Sequence, residues 1–273
     1  MPELPEAETI GRALEKVLCG RKICAVEVFT PAMRSALTPL EHAGVPGRRI
    51  VSVRRRGRYL TAALDDNRGL LMHFGMSGVV RVESGDVPRR KHEHVFIHLD
   101  DGNIFRFECT RRFSLLEVHE LTATGFPAVL DQLGVEPLSG DFTGEYLANA
   151  FSRRKIPVKV ALMDNAIVCG IGNIYATEAL FAAGIDPRRA AGEVSAAECR
   201  RIVAEAVRIL QEAIICGGTT ISDFKSVDGS EGKFVQKSQI YGKRGEVCPR
   251  CGEIIDSCQL GGRTSAFCPG CQK

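Results

Sequence analysis

Four cysteines, spaced Cys248-x2-Cys251-x16-Cys268-x2-Cys271, constrain this chain more than any other feature. Each Cys-x-x-Cys pair turns two thiolates toward one point, and two such knuckles complete the tetrahedron that Zn2+ prefers. A redox dithiol is the competing reading. Both pairs occur, with basic residues between and before them, which favours one structural zinc. The other cysteines (Cys19, Cys24, Cys109, Cys169, Cys199, Cys216 and Cys258) lack secreted-type spacing. They fit a reducing compartment, as small buried or half-buried residues. Cys258 lies between the knuckles and could be a spare thiol, but the outer four are better spaced.

A ribbon of this kind is too small to be the whole fold, and 273 residues suggest about two domains. Charged residues at 25% and hydrophobic ones at 44% exclude disordered, collagenous and low-complexity classes. No apolar run approaches the ~20 residues of a membrane span. The start, MPELPEAET, is acidic and proline-marked rather than basic then apolar, so it does not read as a signal peptide. A soluble, cytoplasmic protein is expected. Residues 225–273 hold eight basic and five acidic residues, which accounts for the whole formal net charge of +3. Elsewhere cations clump: Arg48, Arg49, Arg54, Arg55, Arg56 and Arg58; then Arg89, Arg90, Lys91 and His92; then Arg153, Arg154, Lys155 and Lys159. Separated basic clusters in a near-neutral chain suggest a polyanion bound on one face. For any single cluster, plain solvated surface is an equal alternative.

The pattern of hydrophobicity changes twice. Residues 5–18 read as a helix, with Pro5 in the first turn, Glu3, Glu6 and Glu8 at its positive end, and a stripe of Ile10, Ala13, Leu14, Val17 and Leu18. Gly20 stops it. From Arg21 to about Val118, short β-branched runs alternate with turns: Ile23–Phe29, Ile50–Val53, Tyr59–Leu64, Leu70–Phe74 and Val79–Val82. Val95, Ile97 and Leu99 then lead through Asp101-Gly102 to Ile104–Phe107, a hairpin signal. Strands so frequent, with no helices between, predict an antiparallel sandwich or barrel. After about residue 125 the period is helical. Asn173 is expected to cap a helix over Ile174–Ala183, ended by Gly184. Ser195 and Glu198 open another as a capping box, closed by Gly217-Gly218.

The N-terminus carries the most chemistry. Methionine before proline is normally trimmed, which would leave Pro2 with a free secondary amine. Such an amine attacks an aldehyde carbon and gives an iminium, an electron sink. The adjacent helix start favours its neutral form. Glu3 and Glu6 would supply carboxylates for proton transfer. From these residues alone, an acidic helix cap is the simpler reading.

Further motifs recur in order along the chain: Met1-Pro-Glu-Leu-Pro-Glu-Ala-Glu-Thr9, His73-Phe-Gly-Met-Ser-Gly78, Lys91-His-Glu-His94, Arg111-Arg-Phe113, Met163-Asp-Asn165, Gly170-Ile-Gly-Asn-Ile-Tyr175, Gly217-Gly-Thr-Thr220, Tyr241-Gly242 and the four-cysteine ribbon. In this order they resemble the formamidopyrimidine-DNA glycosylases, bacterial enzymes that remove 8-oxoguanine and ring-opened purines from DNA. The resemblance runs from residue 2 to 272. It implies an α+β multidomain chain: an N-terminal helix plus antiparallel β-sandwich over 1–125, a helix–two-turn–helix DNA-binding domain over 126–225, and a lesion loop with a β-hairpin zinc finger over 226–273.

By that resemblance Pro2 would attack C1′ of the damaged nucleotide, and Glu3 would protonate the sugar O4′ and later help remove the 2′ proton. The iminium then drives β- and δ-elimination. Glu6, Arg58 and Arg263 are further catalytic candidates, with Arg263 on the flipped nucleotide's phosphates. His92, Arg111, Lys155 and Asn173 would hold phosphates as well. Met76, Arg111 and Phe113 would fill the hole left by the extruded base; without the resemblance, core packing is the better reading of Met76 and Phe113. Residues 225–240 would correspond to the loop that closes over that base. The zinc, on Cys248, Cys251, Cys268 and Cys271, would be structural. The partner is double-stranded DNA holding an oxidised base, with no membrane. A monomer is expected, cytoplasmic and nucleoid-associated in a bacterium.

Two departures stand out. Arg58 occupies a position where lysine is usual, and a guanidinium does not readily give up a proton. Cys109-Thr110 replaces Asp-Pro, and Ser114 replaces glycine, so wedge-loop shape and opposite-base preference are the properties most exposed. Two alternatives stay open: a family member preferring oxidised pyrimidines, against which Leu4-Pro5 argues, and a catalytically silent lesion-binding protein.

Overall fold

The structure, a computed structural model, describes residues 2–37, 40, 43–218 and 234–273. The chain forms two compact units, Met1–Asp131 with Gly217–Lys233, and Gln132–Cys216 with Phe234–Lys273.

The first unit begins with helix α1, Leu4–Leu18. Leu4, Ala7, Ile10, Leu14 and Leu18 are buried along it. At about 100° per residue these form one arc, and Ala13 and Val17 fall beyond its edge. Val17, expected in the apolar stripe, is accordingly exposed. Gly11 lies within the arc, where an added Cβ would come 3.0 Å from Leu60 Cδ2. The helix ends at Cys19, and Gly20 turns the chain at φ +83°.

Eight strands follow: β1 Ile23–Val28, β2 Ile50–Arg56, β3 Tyr59–Leu64, β4 Arg68–His73, β5 Gly78–Ser84, β6 Glu93–Leu99, β7 Asn103–Cys109 and β8 Leu115–Glu120. They form two four-stranded antiparallel sheets, ordered β1-β6-β7-β5 and β2-β3-β4-β8. Separate sheets make this a sandwich and not a barrel. Asp101-Gly102 does turn β6 into β7, with Gly102 at φ +82°. The core lies between Val53, Leu60, Ala62, Leu70 and Met72 of one sheet and Val80, Val95, Ile97, Phe105 and Phe107 of the other, joined by Ile10, Leu14 and Leu18 of α1. β8 has no clear alternation, with only Leu116 fully buried, and its place is set by pairing with β4.

In two of the cationic clusters several members are engaged within the protein. Arg48 pairs with Asp66 at 3.0 Å and Arg55 with Glu8 at 2.7 Å. Arg54 lies over the Phe126 ring and donates to Thr124 O. In the second cluster, Arg90 bridges Glu83 and Glu93, both at 2.8 Å, and Arg89 covers the Phe29 ring.

The second unit holds helices α2 Gly144–Phe151, α3 Val158–Leu162, α4 Asn173–Ala183 and α5 Ala196–Ile215, then strands β9 Asp256–Leu260 and β10 Arg263–Phe267. α4 is the central element: every residue from Ile174 to Phe181 is buried. Its N-cap is Gly172, and Asn173, expected to cap it, is instead its first helical residue. Gly184 ends it in the left-handed conformation, φ +72°, as expected. Ser195 and Glu198 form the capping box that opens α5. The β9–β10 hairpin turns through Gly261 and Gly262, both at positive φ. It seats on α4 through Phe181, Ile240, Cys248, Ile255, Ala266 and Cys268. Arg250 stacks on the Phe181 ring and donates to the carbonyls of Phe181 and Ala182, a cation at the negative end of α4. No helix among the described residues is long and apolar enough to cross a membrane.

Candidate functional site

Pro2 is buried immediately ahead of α1. Glu3, the N-cap, and Glu6 are buried as well. The Glu3 N–H donates to Glu6 Oε2 at 2.8 Å, one arm of a capping box. The acidic-cap reading is therefore realised in both residues: the Glu3 side chain accepts from the Glu6 backbone in return, and the Glu6 carboxylate fixes the backbone that carries Pro2 and Glu3. Gly218, in the same unit, packs against this carboxylate. An added Cβ would fall 3.0 Å from Glu6 Oε1, and the residue sits at φ +79°. The Gly217-Gly218 pair thus does more than end a helix: its second glycine is the only kind of residue that fits there without strain.

Arg58 lies in the β2–β3 turn after Gly57, which has φ +58°. Its charge and that of Arg34 act on His73, at the end of β4 and tilted against the Tyr59 ring. Burial, reinforced by these two cations, pushes the His73 pKa down to about 4, so the ring is neutral at pH 7. Its Nδ1 accepts from Gly75 N at 3.2 Å and so anchors the loop that follows. His92 is half-buried in the turn just ahead of β6.

Met76 and Phe113 sit on two neighbouring loops, 48% and 58% exposed, and Arg111 is exposed beside Phe113. Neither apolar side chain is in the core, where the residues alone would have put them. The loops touch at the backbone: an added Cβ on Gly75, at φ +57°, would lie 2.6 Å from Phe113 O.

In the second unit, residues 163–172 link α3 to α4 by two turns. Asn165 organises them, its carbonyl accepting from Gly134 N and its Oδ1 from Gly170 N. Lys155 is exposed just ahead of α3. Lys159, grouped by sequence with the surface cations, is 0% exposed. Its ammonium donates to Asn173 Oδ1 and to Ser265 Oγ, each at 2.6 Å. An ammonium only donates, so it draws the amide oxygen of Asn173 inward and leaves Nδ2 as the outward donor, toward Thr264 O at 3.3 Å. The same lysine ties the start of α4 to β10, whose first residue, Arg263, is exposed at the hairpin tip. Glu178 is a second buried charge that sequence reading missed. Its carboxylate accepts the N–H groups of Gln239, Ile240 and Tyr241 at 2.7–3.0 Å. A basic run and an apolar helix gave no local signal for either residue. Thr219, Thr220 and residues 225–233 of the expected loop lie outside the described residues.

The sulfurs of Cys248, Cys251, Cys268 and Cys271 all lie within 4.8 Å of one another, with Cys248–Cys271 at 3.8 Å and Cys251–Cys268 at 3.4 Å. A tetrahedron of sulfurs 2.3 Å from zinc has edges of about 3.8 Å, so the cluster fits one Zn2+. Four thiolates leave no open coordination position, and the metal's contribution is to hold the hairpin. Cys258 stands apart on β9, near Ser265 O.

Comparison with known proteins agrees with this architecture. Residues 1–116 match the formamidopyrimidine-DNA glycosylase N-terminal domain, residues 133–225 the H2TH domain of the same enzymes, and residues 245–273 a zinc finger found in FPG and IleRS. The chain is 43% identical over 273 residues to formamidopyrimidine-DNA glycosylase of Laribacter hongkongensis, with both chains fully covered. It is 45% identical over 274 residues to that of Hahella chejuensis, again with full coverage. Among solved structures, Lactococcus lactis Fpg bound to DNA with an abasic site superposes with a TM-score of 0.91 at 32% identity over 99% of each chain. A point mutant of that protein bound to Fapy-dG-containing DNA gives 0.91 at 33% over the whole of both chains. With three successive domains matched and full-length relatives well above 30% identity, this chain belongs to the formamidopyrimidine-DNA glycosylase family.

Proposed function

We propose that the chain is a DNA-repair glycosylase that flips an oxidised purine out of double-stranded DNA, removes it through a covalent Pro2 intermediate, and nicks the strand as an AP lyase. The observation that carries this reading is the seat of Pro2 and Glu3: a buried amine position and a buried carboxylate on adjacent residues, their backbone held by Glu6 at a helix start packed into the core. In the proposed reaction the Pro2 nitrogen forms a bond to C1′ as the glycosidic bond breaks; the base leaves with that electron pair and takes up the proton that the nitrogen gives up. Glu3 protonates O4′, the sugar ring opens, and an iminium results. Loss of the 2′ proton then expels the 3′ phosphate by β-elimination, and δ-elimination expels the 5′ phosphate. Extruding the base costs a few kcal/mol, least at a lesion that already weakens pairing. Exposed Met76, Arg111 and Phe113 suit the vacated stack: an apolar wedge, an aromatic stacker and a guanidinium for the orphaned base. His92, Lys155, Asn173 and Arg263 are proposed phosphate ligands, with Asn173 presenting its amide N–H because Lys159 holds its oxygen. Arg58 serves as a fixed cation rather than a proton donor. The chain acts as a cytoplasmic monomer.

The test is borohydride trapping on a duplex with 8-oxoguanine opposite cytosine, using wild type, Pro2→Gly and Glu3→Gln, with intact mass confirming loss of Met1. The expected result is a covalent adduct that requires Pro2, and cleavage that leaves phosphates on both sides of the gap. Tight lesion binding without an adduct, from a correctly trimmed chain, overturns the catalytic reading and makes the protein a reader of damage. Faster excision of oxidised pyrimidines than of 8-oxoguanine overturns the substrate assignment.

A further inference from the structure

The loops that carry Met76 and Phe113 are not held by regular pairing. Arg112, between Arg111 and Phe113, has φ +55°, a strained conformation for a non-glycine residue that persists only where its surroundings impose it. Three buried side chains beneath the loops do so. Ser114 donates its hydroxyl hydrogen to Phe74 O at 2.7 Å, which fastens the second loop to the first. The same hydroxyl also donates toward the Cys109 sulfur, 3.0 Å away, so its one hydrogen is shared between two acceptors. Ser77, 3.9 Å from the same sulfur, accepts the Arg111 N–H at 3.3 Å. Cys109 is itself fixed at both backbone groups, its N–H donating to His92 O and its carbonyl 2.9 Å from His94 Nε2. Cys109 and Ser114 are both fully buried. Gly78 leaves the space they occupy, since a Cβ there would lie 2.4 Å from Ser114 Oγ.

We propose that the Cys109 thiol and the Ser114 hydroxyl are positioning residues that set opposite-base discrimination, by pinning the strained Arg111–Phe113 segment at a fixed offset from Met76. The inference rests on the DNA-glycosylase reading for its substrate but concerns a different property, selectivity rather than bond cleavage. Reaching an orphaned base with the donors of Arg111 requires the loop to stand still. A loop that wanders by an ångström loses the geometry of a bidentate contact while the amine and carboxylate of Pro2 and Glu3 are untouched. The pin has one centre, the Ser114 hydroxyl reaching both Phe74 O and the Cys109 sulfur, so removing either side chain loosens the same segment.

The experiment compares wild type, Cys109→Ala, Ser114→Ala, the double variant and the conservative Cys109→Ser. Two readouts are single-turnover excision of 8-oxoguanine opposite cytosine and opposite adenine, and binding to an abasic-analogue duplex with the same two opposite bases. Cleavage of a preformed AP site and the melting temperature serve as controls. Cys109→Ala and Ser114→Ala are expected to shrink the cytosine-to-adenine ratio at least threefold in both readouts, with AP-site cleavage within twofold of wild type. The double variant should match the singles, and Cys109→Ser should keep the ratio within twofold. An unchanged ratio in the folded alanine variants overturns the proposal, as does a loss that falls equally on AP-site cleavage. Should Cys109→Ala fail to fold, Ser77→Ala reads the same ratio by removing the acceptor for the Arg111 N–H. A wild type that binds but never cleaves overturns the catalytic reading alone, and the binding ratio then decides the pin.

Discussion

His73 carries a pH dependence readable from its surroundings. Buried between Tyr59 and the loop it anchors, and facing the Arg34 and Arg58 charges, it has a pKa near 4 in the folded protein against about 6.5 unfolded. Between these values the unfolded chain binds the extra proton, so stability rises with pH across the window and is lost as pH falls from 6.5 to 4. The contribution is about 3 kcal/mol. Urea unfolding at pH 4, 5, 6 and 7 should show this slope in wild type, and His73→Gln should lack it. Lys159 makes a second residue-scale prediction. Lys159→Met frees the Asn173 amide to turn its oxygen outward, toward phosphate, and affinity for an abasic duplex in fluorescence anisotropy should drop about tenfold. Lys159→Arg, which keeps a donor but changes its reach, should fall between. Sequence alone ranked Lys159 with the exposed cations because nothing local distinguishes it from Arg153, Arg154 or Lys155; burial is decided by β10, more than a hundred residues away.

At the scale of elements, α1 and the ribbon depend on different forces. α1 is held by burial of Ile10, Leu14 and Leu18 in the sandwich core. Leu14→Ala should cost about 2–5 kcal/mol by urea titration and, by loosening the seat of Pro2, should slow adduct formation. The β9–β10 hairpin buries too little to fold by itself and needs its metal. Chelation should melt it and abolish DNA binding while circular dichroism keeps most of the helical and strand signal; full binding without zinc would overturn this assignment. The helix ends were legible in sequence wherever a capping box or a left-handed glycine marked them, as at Ser195 and Gly184. The start of α4 was not, because Asn173 is drawn away from capping by Lys159 and Thr264. β8 was equally silent, since a strand placed by its partner β4 needs no alternation of its own.

For the whole molecule, several cations are proposed to displace phosphate counterions, so affinity for duplex DNA should fall steeply between 50 and 200 mM salt, in keeping with each phosphate contact lowering the logarithmic slope by about 0.9. A salt-insensitive affinity in anisotropy titrations would contradict the phosphate assignments. The cation count behind that slope is smaller than the sequence suggests: Arg48, Arg55 and Arg90 are committed to Asp66, Glu8, Glu83 and Glu93 within the first unit. By itself the sequence determined the features that depend on local spacing. These are the zinc ligands, the period change from strands to helices, the hairpin at Asp101-Gly102, and, through the order of its motifs, the family. Such features are short-range because a knuckle, a turn or a cap is closed by residues a few positions apart. Only the tertiary structure decided which charges are surface and which are struts, and that Met76 and Phe113 stand on loops pinned by Cys109 and Ser114 instead of lying in the core. Burial is a property of what packs against a residue, and here those partners come from strands and loops distant in the chain.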